Sequence, residues 1–146
     1  MEIIRATTTA QRAGVYYVRI QAMARKHHIP LDEEFDEHDT PDTQYIVAID
    51  DYLPVATCRL YPADAHRMML GRIVVLPEYR RQGLGTRVVR EAEAWARELG
   101  YTTAVVESRD NKVQFYESMG YVGDYSKILT SGTFPCYRME KALSGE

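Results

Sequence analysis

Residues 72 to 89, RIVVLPEYRRQGLGTRVV, set the tightest limit on what this chain can become. The apolar run Met68–Leu76 ends at Pro77, a short turn follows, and Gly83 and Gly85 open an amphipathic stretch. From Gly83 to Leu99 the residues Leu84, Val88, Ala92, Trp95, Ala96 and Leu99 fall on one stripe at helical spacing. Gly100 stands where a glycine ends such a helix. A strand, a turn and a helix in this order place an open helix N-terminus at the end of a strand. The N–H groups of a first helical turn lack intrahelical acceptors, and the dipole there favours negative charge. Glycine lets an anion approach the backbone closely, and Arg80 and Arg81 add donors suited to phosphate. The segment predicts an anion cradle. A glycine-started helix beside surface arginines would present the same residues.

The rest of the chain supplies strands for that unit to join. Glu2–Ala6 reads as a short first strand. Thr8 with Gln11 three residues later matches a capping box, opening a helix to about His28 that Pro30 stops. An acidic segment and Thr40-Pro41 read as a loop with room for a helical turn. Tyr45–Asp50 and Val55–Tyr61 form a hairpin across Asp50-Asp51 and Pro54. Thr103–Ser108 is a strand, Asn111–Met119 a short helix closed by Gly120, and Tyr121–Gly123 and Phe134–Lys141 the last strands. Hairpins first and two strand–helix units after them predict a mixed α/β (α+β) architecture, a central sheet with helices packed on it. No linker or repeat divides the 146 residues, so one domain over 1–146 is expected.

Composition narrows the function classes. Hydrophobic residues make up 45% and charged residues 27%, which excludes a disordered or fibrous chain. No apolar run is long enough to cross a membrane, and the N-terminus lacks a secretory pattern. Cys58 and Cys136 are far apart with no CxxC, so two free thiols in a reducing cytoplasm are expected. A net charge of −3 disfavours a nucleic-acid partner. Charge is unevenly spread. Asp32–Asp39 (DEEFDEHD) is acidic at six of eight positions, while Arg72–Arg90 holds five arginines against Glu78 alone. The acidic segment is either a solvated loop or an attractor for a cationic ligand. Metal is not expected, because the adjacent His27 and His28 diverge by about 100° on a helix and HExxH is absent.

The pattern GxxxxGK[ST] is missing, as is GxGxxG. What stands here is Arg80-Arg81-Gln82-Gly83-Leu84-Gly85, which resembles the [Q/R]-x-x-G-x-[G/A] pyrophosphate motif of GNAT-superfamily N-acetyltransferases. Phe115-Tyr116-Glu117-Ser118-Met119-Gly120-Tyr121 resembles the FYxxxGF block of the same superfamily. Glu34, Asp36 and Asp39, Arg59-Leu60, Gly71-Arg72-Ile73 and Phe134–Met139 are similar to blocks of its ElaA-like branch. The chain departs from that branch at Cys136, where histidine is common, and from the superfamily at Arg109, where asparagine is common; Asn111 is two positions out of register.

The resemblance implies a GNAT fold, a mostly antiparallel mixed sheet flanked by helices. It implies acetyl-CoA as cosubstrate and a small-molecule or peptide amine as acceptor, reacting directly in a ternary complex. Residues Arg80, Arg81, Gln82, Gly83, Leu84, Gly85 and Thr86 would hold the pyrophosphate. Ile73, Val74 and Val75 would lie along the pantetheine, and Asn111 would stand near the cofactor. Tyr116 would protonate the departing thiolate. The superfamily's glutamate on the fourth strand falls here at Met69, so the base is open among Glu107, His66, the Glu34/Asp36 group and water. The same fold binding acyl-CoA without chemistry, as a sensor, is the alternative. A homodimer through late strands is a further implication of the resemblance. Cys136 reads as a packing residue, and Trp95, Phe115 and Met119 as core.

Overall fold

The computed structural model describes residues 1–130 and 134–143. Strand β1 (Glu2–Ala6) leads into helix α1 (Thr9–Arg19). Thr8 caps it as expected: its hydroxyl accepts from the Gln11 N–H at 3.1 Å, and the Gln11 side chain accepts from the Thr8 N–H at 3.1 Å. The helix continues through a π-helical turn, Ile20–Ala24, into α2 (Arg25–His27). That wide turn has no sequence signal of the kind a cap or glycine gives. A short α3 (Leu31–Glu34) starts directly after Pro30.

Strands β2 (Gln44–Asp50), β3 (Leu53–Pro62) and β4 (Arg67–Val75) follow as a meander. Then come a 3-10 turn (Pro77–Tyr79), α4 (Leu84–Glu98) and β5 (Thr103–Arg109). A second 3-10 turn (Asp110–Lys112), α5 (Val113–Ser118), β6 (Val122–Gly123) and β7 (Cys136–Ala142) complete the described chain. The seven strands form one sheet in the order β1-β2-β3-β4-β5-β7-β6. Only β4 and β5 run parallel, because α4 crosses over between them. The mixed, mostly antiparallel architecture read from the sequence is the one observed.

Strand alternation divides the side chains between two layers. Ile46, Ala48, Cys58, Leu60, Met68 and Leu70 pack with Val88, Val89, Ala92 and Ala96 of α4. On the opposite face, Tyr45 and Val47 meet Val15 of α1 and Ala6. Gly14 lets α1 lie close to the β2–β3 hairpin: a Cβ there would sit 3.0 Å from Pro54 Cγ.

Several expectations need correction. Leu99 does not extend the buried stripe of α4; it is 47% exposed, because the helix ends and turns away from the sheet there. Trp95 and Phe115 are half-buried at the edge of the core, with the Arg5 guanidinium over the Trp95 ring at 5.3 Å. Glu93 on α4 is buried, held by the Tyr121 hydroxyl at 2.7 Å and Lys141 at 3.0 Å. The last strand begins at Cys136 rather than Phe134.

Candidate active site

The sheet opens between its two parallel strands. Strands β4 and β5 pair only at Arg67–Thr103, Met68–Ala104 and Met69–Val105. Beyond Met69, β4 stays with β3 as far as Ala56–Val75, while β5 stays with β7 as far as Arg109–Cys136. The two pairs therefore diverge and leave a wedge. A bulge drives the divergence. Arg59 faces Gly71 but Thr57 faces Val74, so β4 carries one residue too many, and Arg72 takes φ +47. Bulges bend and twist the strand that holds the extra residue.

The wedge exposes main chain. The Leu76 N–H donates to Val55 on β3 at 2.8 Å. Successive residues of a strand present their polar groups to opposite sides, so Val75 and Ile73 direct theirs into the wedge and Val74 toward β3. Arg80 Nε donates to the Val75 carbonyl at 3.2 Å. Of the three strand residues named from the sequence, two thus offer backbone to the opening.

At the wide end stands the cradle. Arg81 has φ +65 and Gly83 has φ +79, so the chain reverses twice before α4 begins. The first helical N–H bond among these residues is Arg87 to the Gly83 carbonyl. The N–H groups of Leu84, Gly85 and Thr86 precede it and have no intrahelical acceptor. Gly83 has no side-chain cap over it, and a Cβ built there meets nothing within 4 Å. Its glycine is thus favoured by backbone conformation, and the space before it is open. Leu84 turns its side chain into the core, leaving only its N–H for the cradle. A Cβ on Gly85 would point at the Phe115 ring, 3.5 Å away, an ordinary contact rather than the bare approach expected for that position. Arg81 and Gln82 are exposed.

Tyr116 lies on α5 with its ring buried, edge-on to Phe115 and Tyr121. Its hydroxyl has no protein hydrogen bond among the described residues. It also feels both Cys58 and Cys136, which sit on opposite faces of the sheet. Burial, then those two thiols, pushes the phenol well above its ordinary range, so it carries its proton at neutral pH. Asn111 is exposed on the 3-10 turn after β5, with no side-chain bond among the described residues.

The acidic segment is neither a solvated loop nor a free cation trap. Arg19, fully buried, donates to Glu34 at 3.0 Å and to Asp39 at 2.6 Å. Arg59 donates to Asp36 at 2.8 Å and Asp39 at 2.9 Å, and Arg72 to Asp36 at 3.0 Å. Three carboxylates and three guanidiniums cancel beneath the segment. Burial alone would raise the Asp39 carboxyl, but hydrogen bonds from Arg19 and Tyr45 outweigh it and hold it far below its usual range. Burial and then the Arg59 charge lower Arg72 slightly in the same cluster. The arginines that answer these acids come from α1, β3 and the β4 bulge, which the sequence pattern could not assign.

Over the wedge, the face that carries α1 presents Tyr61, Met69, Glu107, Arg109 and Cys136, placed by the pairings Tyr61–Met69, Met69–Val105 and Arg109–Cys136. His38 stacks on Tyr61 with centroids 3.9 Å apart. Arg109 lies over the Phe134 ring at 3.9 Å, and His27 meets the same ring edge-on. Of the four base candidates, Glu34 and Asp36 are spent on arginines, and His66 lies in the turn before β4. Met69 is buried where the superfamily glutamate would stand.

A sheet that opens between its two parallel strands, with an uncapped helix N-terminus at the wide end, defines an acyl-transferring enzyme class when joined to sequence kinship. The chain belongs to the acetyltransferase (GNAT) family, whose pattern matches residues 12–121. It is 30% identical over 134 residues to a Bacillus subtilis (strain 168) protein described as an acetyltransferase, covering 90% of each chain. It superposes with a TM-score of 0.90 on a Lactobacillus plantarum protein described as an N-acetyltransferase, 32% identical and covering 98% of both. Escherichia coli ElaA shares the fold, with a TM-score of 0.81 at 16% identity over 97% of this chain and 99% of that one. Among the described residues no helix is long and apolar enough to cross a membrane.

Proposed function

We propose that this chain transfers the acetyl group of acetyl-CoA to a primary amine by direct attack in a ternary complex. The observation that carries the reading is the wedge: β4 and β5 part beyond Met69, and Ile73 and Val75 direct backbone polar groups into the opening along one wall, with Arg80 on the Val75 carbonyl. The pantetheine amides find strand-like partners in that wall, and the pyrophosphate finds the N–H groups of Leu84, Gly85 and Thr86 with Arg80 and Arg81 beside them. The acetyl thioester then lies where β4 and β5 part. A thioester is already activated, so no covalent nucleophile is required, and buried Cys58 has none of the character of one: burial pushes its thiol well up.

An amine with an ordinary pKa near 10.4 must lose a proton before it attacks, at about 4–5 kcal/mol at neutral pH. The free amine nitrogen forms the new bond to the acetyl carbon, the carbon–sulfur bond breaks, the thiolate takes the proton of Tyr116, and the surplus proton of the new amide nitrogen passes through water to restore the phenol. Met69 cannot supply the base. That position favours a second reading, the same fold holding acyl-CoA without turnover as a sensor.

Calorimetric titration with acetyl-CoA tests the site directly. The wild type binds in the micromolar to millimolar range usual for substrates, and Gly83→Glu does not, through its strained φ and its negative charge in the cradle. No binding by either protein overturns the reading. Binding without CoA release from any of a broad set of amines selects the sensor.

A further inference from the structure

We propose that Glu107 binds the positive charge of the acceptor amine, so that the acceptor is selected as a cation at the mouth of the wedge. The inference rests on the acetyltransferase reading above and adds its acceptor side. Glu107 is exposed on β5, two residues beyond Val105, the last β5 residue paired with β4. It therefore stands about 7 Å past the apex of the wedge, at the usual rise along a strand. Alternation from Val105 puts its carboxylate on the face with Tyr61, Met69 and Cys136, not among the apolar side chains beneath α4.

Four acids of that face and of the segment beside it already have a cation among the described residues. Glu34, Asp36 and Asp39 are consumed by Arg19, Arg59 and Arg72, and Glu140 is shared by Arg67 and Arg138 at 3.5 Å each. Glu107 has no ion pair and no side-chain hydrogen bond among the described residues. The cations that could have claimed it are held elsewhere. Arg138, directly across on β7, leans to Glu140, and Arg109, two residues on, lies over Phe134. The carboxylate is also close enough to raise both the Cys136 thiol and the Tyr61 phenol after burial has done so. Tyr116 is influenced by that same Cys136. Tyr61, with the His38 ring stacked on it, shares that face with Glu107. A carboxylate beside aromatic faces suits an ammonium group.

The test titrates 1,5-diaminopentane, spermidine and a lysine-containing peptide amide into the full chain saturated with CoA. At least one cation binds the wild type, and Glu107→Gln weakens that binding by about tenfold, as loss of a charge-assisted hydrogen bond predicts. Glu107→Asp keeps part of the affinity. Asp32→Asn, which removes an exposed acid on α3, changes it less than twofold, so bulk charge is not the cause. Glu107→Gln binds CoA as the wild type does. If CoA binds and no cation follows, or if Glu107→Gln binds the cation within about twofold of wild type, the proposal is overturned. Failure of CoA itself to bind is the distinct result that removes the acetyltransferase reading.

Discussion

Arg19 and Asp39 are joined by two parallel hydrogen bonds, Nη1 to Oδ1 at 2.6 Å and Nη2 to Oδ2 at 3.1 Å, with the arginine wholly shut from solvent. The pair ties α1 to the segment after α3, and Arg59 and Arg72 extend the tie to the sheet. It is the reason the 35–43 stretch lies down beside the wedge instead of standing in water.

Removing one partner of such a buried pair leaves the other charge uncompensated. Arg19→Met should destabilise the fold by about 3–5 kcal/mol, because Glu34 would lose its side-chain donor and Asp39 would keep only Arg59 and Tyr45. Urea denaturation with an unchanged slope checks the size. A loss below about 1 kcal/mol would mean that the cluster is hydrated once opened.

The same cluster sets a pH dependence. Asp36 and Asp39 have carboxyl groups held below their ordinary range in the folded chain, against burial, by hydrogen bonds and arginine charge. A depressed carboxylate contributes stability that is complete above the unfolded value near 3.9 and is lost as pH falls through the folded value. Thermal unfolding should be flat from about pH 7 to pH 5 as far as these two groups are concerned, and the midpoint should drop steeply below about pH 4. In Asp39→Asn the acid limb should be shallower. An equally steep limb would assign the acid loss to other groups.

Tyr116→Phe should lower kcat by about a hundredfold if the phenol protonates the leaving thiolate, with acetyl-CoA affinity unchanged. The ring is packed among Phe115 and Tyr121 and its hydroxyl has no protein partner among the described residues, so the substitution leaves the core intact. Steady-state rates with any accepted amine, beside the acetyl-CoA titration, separate the two effects. Wild-type kcat in the variant would exclude the acid role.

Gly14→Ala tests the packing of α1. The new methyl would lie 3.0 Å from Pro54 Cγ and 3.2 Å from its Cβ. A cost of about 1–3 kcal/mol is expected from overpacking, partly offset by the better helix propensity of alanine, about 1 kcal/mol. A gain in stability on thermal unfolding would show that the hairpin yields.

The sequence carried the frame because local rules fix it. Thr8 and Gln11 announce a capped helix, Gly83 and Gly100 bracket α4, and alternation over Tyr45–Tyr61 writes the hairpin. The cradle was legible for the same reason: a strand, a turn with glycine and a helix are neighbours in the chain before they are neighbours in space. Leu99 misled because its spacing continued the stripe after the helix had left the sheet.

What the sequence determined by itself was therefore the order of elements, the mixed sheet, the family resemblance and the place of the glycine-opened helix N-terminus after β4. Only the tertiary structure decided where β4 and β5 part, since that follows from one extra residue at Arg72 and from which neighbour each strand keeps. It also decided the fate of the acids. Asp32–Asp39 looks uniform as a string, yet Glu34, Asp36 and Asp39 meet arginines from 20 or more positions away on other elements or from α1, while Glu107 on β5 meets none. Charge pairing is a matter of distance in space, and a linear pattern holds no record of it until the chain has folded.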